Sequence, residues 1–141
     1  MRLDERDHWL LALWATDCAG HVLPYFEEEH PRDDRPRNAV EAGRAWVRNE
    51  IAVSEARAAA FAAHAAARDA DGAAARAAAR AAGHAAATAH VAGHAVHVAN
   101  YAVTAAVPTD SAAATARERD RQYRRHPKHL RVVAFPARGN D

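Results

Sequence analysis

Ten histidines in 141 residues are the side chains through which this sequence could do chemistry. His90, His94 and His97 recur at i, i+4 and i+7, which puts three imidazoles on one face of a continuous helix. Asp17 and His21 are likewise i and i+4, inside an apolar N-terminal stretch. If the two segments are neighbours, the five side chains converge, and neutral imidazoles with a carboxylate can hold a divalent metal inside a helical bundle. The helical rise sets a limit, because the first and last of the three histidines stand roughly 10 Å apart along the axis, so one ion takes two of them. His90, His94 and His97 are thus the metal candidates, and Asp17, His21 and His90 the candidates for acid–base catalysis. A hydrogen-bonded structural network is the third account of the same residues.

Other groups widen the set. Cys18 and His21 are spaced i, i+3, as in a Cys/His nucleophile pair, but a thiol in mid-helix among apolar neighbours has its pKa raised and reads as structural. Asp33-Asp34-Arg35 concentrates charge on a polar connection, where side chains are readily presented to a ligand. Trp14, Cys18, Asp34, Arg35, His84 and Tyr101 make up the wider ligand-binding set. His64 and His84 each lie in alanine-rich segments with no partner readable from spacing.

The elements that must position these residues follow from the apolar pattern. Asp7 to Phe26 holds Trp9, Trp14 and four of the six leucines. Its run Trp9-Leu10-Leu11-Ala12-Leu13-Trp14 is apolar all round and predicts a helix enclosed on several sides. Asp7 is the expected N-cap, and Pro24 bends or restarts the helix. A second helix is expected from Pro36 to Ala52, with Asp34 as its cap. A third opens near Ser54, with Phe61 and Ala65 on its buried face, and ends at Asp69-Ala70-Asp71-Gly72. From Ala73 to Val107 there is no proline, so one long helix or two with a bend near Gly83 are both open. A last helix runs from Ala112 to Arg125, capped from Thr109, Asp110 or Ser111, and Leu130 to Phe135 is an apolar tail that clasps the bundle. No alternating strand pattern persists. The expectation is a compact, all-α, alanine-rich single-domain bundle of five or six helices with an aromatic-rich N-terminal helix in its core, spanning residues 1–136 with a loose tail at 137–141.

Composition bounds the function. Lys+Arg 19 against Asp+Glu 18 gives a net charge of +1, so nothing global points to nucleic acid. Arg117 to Arg131 forms a basic surface, expected to be solvated and to pair with the acidic N-terminal half. The uncharged stretch between Arg80 and Asp110 has the length of a membrane span, but alanine contributes little to insertion and its histidines oppose it. One cysteine fits a reducing compartment, and the acidic N-terminus does not read as a secretion signal, so a cytoplasmic protein is expected. Alanine-lined helices pack equally well within or between chains, which leaves a homodimer open.

Four blocks carry a resemblance: Asp7-His8 with Leu11 to Ala15, Asp17-Cys18-Ala19 and His21 to Pro24; Asp34-Arg35-Pro36 with Glu41-Ala42 and Ala45-Trp46; Ala82-Gly83-His84; and Ala87 to Val91 with His94. Over roughly Asp7 to Tyr101 the chain resembles the family 5 putative immunity proteins of bacterial polymorphic toxin systems. That resemblance implies an all-helical fold and a protein, encoded beside a toxin gene, that neutralises that toxin by binding it. The buried polar residues themselves point instead to a small-molecule or metal-binding bundle, which could be an enzyme. Both readings are carried forward.

Overall fold

A computed structural model describes residues 4–106 and 112–131. The described chain is helical throughout: α1 (Glu5–Val22), the single turn α2 (Pro24–Glu27), α3 (Arg35–Val47), α4 (Val53–Asp69), α5 (Ala73–Ala87), α6 (His94–Ala106) and α7 (Ala112–Arg125), followed by a 3₁₀ turn at Lys128–Leu130. Six helices of bundle length make the expected all-α fold, with no strand among the described residues. The expected caps of α7, most of the C-terminal tail and the 136/137 boundary lie outside the described residues.

α5 is the axis. Every alanine from Ala75 to Ala86 is buried, and α1, α2, α3, α4 and α6 all pack on this one helix. Such crowding needs small side chains, since helix backbones come together only where there is little to keep them apart. At Gly43 of α3, a Cβ would run into the Thr16 methyl of α1 and stand 3.5 Å from the Ala85 carbonyl oxygen of α5, so this glycine is where three helices meet.

Several boundaries differ from expectation for identifiable reasons. α1 starts earlier, because Asp4 rather than Asp7 is the N-cap: its carboxylate accepts from the Asp7 amide at 2.8 Å, and Asp7 completes a capping box. α3 ends at Val47 rather than Ala52, because Asn49 takes a left-handed conformation (φ 59°) that closes the helix. Pro24 restarts the chain as α2. The long segment is two helices, but the break falls at residues 88–93 and not at Gly83, which is buried inside α5. There the Thr88 hydroxyl bonds back to the His84 carbonyl at 2.9 Å, and the Thr88 carbonyl accepts from the His8 ring of α1 instead of continuing the ladder.

Two burial expectations are corrected. The N-terminal helix packs on several sides, against α3, α5 and α6, but its apolar run is not buried all round: Trp9 is 38 % and Leu13 43 % exposed, and its buried face runs through Leu11, Trp14, Ala15, Cys18 and Val22. Phe61 is 65 % exposed. The inward face of α4 is Ala56, Ala60, Ala63 and Ala67, and Phe61, one residue on from Ala60, is turned about 100° away from it. Among the described residues the buried Trp, Phe and Tyr side chains are Trp14, Phe26 and Tyr123.

α7 is fastened to the bundle by polar groups. The Trp14 indole donates to the Gln122 carbonyl at 3.1 Å, and the Gln122 amide donates to the Ala99 carbonyl at 2.9 Å. Two of its arginines pair within the helix, Arg121 with Glu118 and Arg124 with Asp120, while the bond from His129 to Asp7 joins the basic end to the acidic N-terminus.

Gly43→Ala is expected to destabilise the fold by about 1–2 kcal/mol through overpacking, despite alanine's better helix propensity. Thr16→Ser removes the obstructing methyl, so the double variant should recover most of the melting temperature lost by the single one.

Candidate functional site

The histidines do gather, but as a different set from the one the spacing predicted. α4, α5 and α6 bring together His64, His84, His94 and His97. The Nδ1 atoms of His84 and His94 lie 2.9 Å apart, so one donates and the other accepts. The His64 ring meets His84 edge-on at a centroid distance of 4.9 Å, His97 lies 5.0 Å from His84, and Tyr101 stacks on His84 at 5.4 Å with 11° between the planes. His84 is the hub.

Gly83 makes this arrangement possible. A Cβ there would stand 2.7 Å from Cε1 and Nε2 of His64; without one, the His64 ring of α4 lies against the backbone of α5. Arg80, one turn earlier on α5, donates from its Nη1 to Nδ1 of His64 at 2.9 Å. A guanidinium can only donate, so Nδ1 is the acceptor and the His64 proton sits on Nε2.

Burial disfavours the charged form of three of these rings. Burial, followed by the charges of Arg80, Arg68 and His94, lowers the pKa of His64 to about 4. Burial, followed by His64, His94, His97 and Arg80, lowers that of His84 to about 3. Burial also lowers His94, with His97 and His90 adding to it. The permanently charged groups named in these shifts, Arg68 and Arg80, are both cations.

Beside the cluster a hollow of about 190 Å³ opens between α4 and the start of the α5–α6 turn. It is lined by Arg57, Phe61, His64, His90 and His94 over an alanine floor. A wider hollow of about 610 Å³ lies over the loop His30–Arg35 alone. There Arg35 is already committed, gripping Asp33 at 2.7 Å and reaching Asp69 at 3.1 Å, which ties the start of α3 to the end of α4.

The remaining predicted residues take other places. Asp17 and His21 are exposed, and His21 looks towards Glu118 and Arg121 of α7, so the set Asp17, His21 and His90 does not come together. α1 does pack against α6, but Asp17 and His21 are not among the buried residues of α1, which include Leu11, Trp14, Cys18 and Val22. His90 lies in the turn before α6 rather than on it, so the helical spacing of His90, His94 and His97 is broken. Cys18 is buried, and desolvation pushes its thiol up to about 12, in keeping with a structural thiol. Trp14 is a core residue whose ring meets His126 edge-on, and Asp34 is exposed, with no capping bond from its side chain. His84 and Tyr101 are in the cluster.

Among the described residues no three His, Cys, Asp or Glu side chains are grouped to hold a metal ion. The donor set explains this, since the Nδ1 lone pair of His64 is taken by Arg80 and the surrounding charge is positive. Spacing missed His64, Arg57 and Arg80, because their partners lie across helix pairs; a glycine inside an alanine helix, Gly83 next to His84, was the available signal of close approach.

Fold and site define an α-helical bundle organised around an imidazole cluster and the hollow beside it. The family model for Imm-5 like putative immunity proteins matches residues 1–129, and the chain belongs to that family. Neither the curated proteins nor the solved structures give a significant match. No helix among the described residues is long and apolar enough to cross a membrane.

The cluster sets a pH dependence. An unfolded histidine takes up its proton near 6.5, whereas folded His64 waits until about 4 and His84 until about 3. The unfolded chain therefore binds more protons in that window, so stability is greatest above about pH 6.5 and falls on acidification towards the folded values. Melting temperature measured from about pH 7 down to about pH 5 should drop accordingly. Gly83→Ala displaces the His64 ring, brings its pKa back towards 6.5 and should flatten that fall.

Proposed function

We propose that this protein neutralises a cognate toxin by binding it as a folded partner, through the face on which Phe61 stands. Membership of the immunity family across residues 1–129 carries the reading, and the surface chemistry supports this face as the place of contact. Val53, Arg57 and Phe61 follow at i, i+4 and i+8 along α4, forming one exposed ridge. Val91, 47 % exposed, lies in the α5–α6 turn next to His90, which shares the hollow with Arg57 and Phe61. Trp9 and Val53 line a second hollow, together with Ala89 and Ala92 of that turn. An aromatic side chain held in water by an otherwise well-packed helix, with an arginine one turn away, has the composition of an interface anchor. Its burial on contact supplies binding free energy that the free protein forgoes.

The reading is tested with the protein encoded by the adjacent gene, the arrangement that the family resemblance implies. Co-expression should rescue growth and the two proteins should co-purify. Phe61→Ala should weaken the complex at least about tenfold, or about 1.4 kcal/mol, with the melting temperature of the free protein unchanged. Undiminished binding by both Phe61→Ala and Phe61→Arg would remove this face from the account.

A further inference from the structure

Building on that partner-binding reading, we infer that the hollow between α4 and the α5–α6 turn receives a carboxylate side chain, aspartate or glutamate, of the bound toxin, and that the imidazoles around it take up protons as it enters.

Charge is the first argument. The groups facing the hollow and the cluster behind it are Arg57, His64 and Arg68 on α4, Arg80 and His84 on α5, His90 in the turn, and His94 and His97 on α6. All are cations or can become cations, and Tyr101 supplies a ring face to His84. A concentration of cationic groups against apolar walls focuses a field that attracts an anion. It repels the divalent metal that histidines alone would suggest, and Arg80 has already taken one of the ring nitrogens such an ion would need.

Size is the second. About 190 Å³ falls below the roughly 300–1,000 Å³ of sites built for small molecules, and suits one side chain delivered from a surface. Position is the third, since Phe61 and Arg57 belong both to the hollow and to the proposed binding ridge. A partner that covers Phe61 has its neighbouring side chain directed at the imidazoles.

Proton uptake follows from the same geometry. In the free protein, burial and positively charged neighbours disfavour the protonated form of His64, His84 and His94. An entering carboxylate reverses the second influence, because an opposite charge within a few ångströms favours imidazolium. Each proton gained strengthens the contact, so affinity rises as pH falls.

Two measurements on the full chain test this. In the first, N-acetylglutamate methylamide and its glutamine counterpart are titrated while the imidazole resonances are followed. The acid should produce saturable shifts at His64 and His94 and raise the His94 pKa by about one unit, equivalent to tenfold in affinity between protonation states; the amide should not. Arg57→Gln, an exposed position, should weaken the acid at least about tenfold. Equal responses to acid and amide, or none to either, overturn the inference. In the second, binding of the adjacent-gene protein is followed by calorimetry in buffers of different ionisation enthalpy. Net proton uptake that shrinks in His94→Gln, with affinity about tenfold higher at pH 6 than at pH 8, is the expected result. Binding without proton uptake overturns the carboxylate while leaving the partner reading in place. Failure of the adjacent-gene protein to bind, with the glutamate probe still seated, overturns the partner reading and upholds the chemistry of the hollow.

Discussion

The close approach of neighbouring helices to α5 is the constraint from which the rest of this structure follows. An alanine helix buries little area per residue, so it is held by many small dispersion contacts made at short range rather than by a few large side chains. Short range requires that nothing stand between the backbones. Gly43 meets this condition between α1, α3 and α5, and Gly83 meets it between α4 and α5. The first place carries only packing. The second carries a histidine ring, and so converts a packing device into a chemical one.

Close packing at Gly83 determines the electrostatics of the cluster. His64 is pressed against α5 where Arg80 fixes its tautomer, and His84 is enclosed by His64, His94, His97 and Tyr101. Several imidazoles so close together cannot all carry a proton, and burial disfavours the charged form of His64, His84 and His94. The result is a set of hydrogen-bonding rings under a rim that includes the permanent charge of Arg57. Elsewhere polar contacts serve to fasten one element to another, as with the Trp14–Gln122 bond that docks α7 or the Arg35 clamp across Asp33 and Asp69. The imidazole cluster differs in lying next to a hollow and an exposed aromatic.

The sequence made the helices legible because apolar spacing, proline and capping residues act locally. The end of α7 at Arg125, the restart at Pro24 and the all-helical class could all be read in this way. Tertiary facts were less accessible. Spacing put His90, His94 and His97 on one face only under the assumption of a continuous helix, and the break at residues 88–93 depends on the Thr88 carbonyl turning to His8, eighty residues away. Asp17 and His21 were read as interior because their neighbours are apolar, yet the buried stripe of α1 passes through Trp14 and Cys18 and leaves those two outside. Phe61 was read as core for the same reason. In an alanine-rich chain the largest apolar residue is not necessarily the buried one, since close helix packing favours the smallest. His84, His94 and Tyr101 could be found from the sequence, but their assembly with His64 and Arg80 required knowing which helices touch.

The most direct test of this account is the protonation and tautomeric state of the imidazoles, read from ring nitrogen shifts in the full chain as a function of pH. The account predicts that His64 carries its proton on Nε2 and that both His64 and His84 stay neutral well below the ordinary value of 6.5. Rings that titrate at that ordinary value, with the tautomer mixture of solvent-exposed histidine, would contradict it.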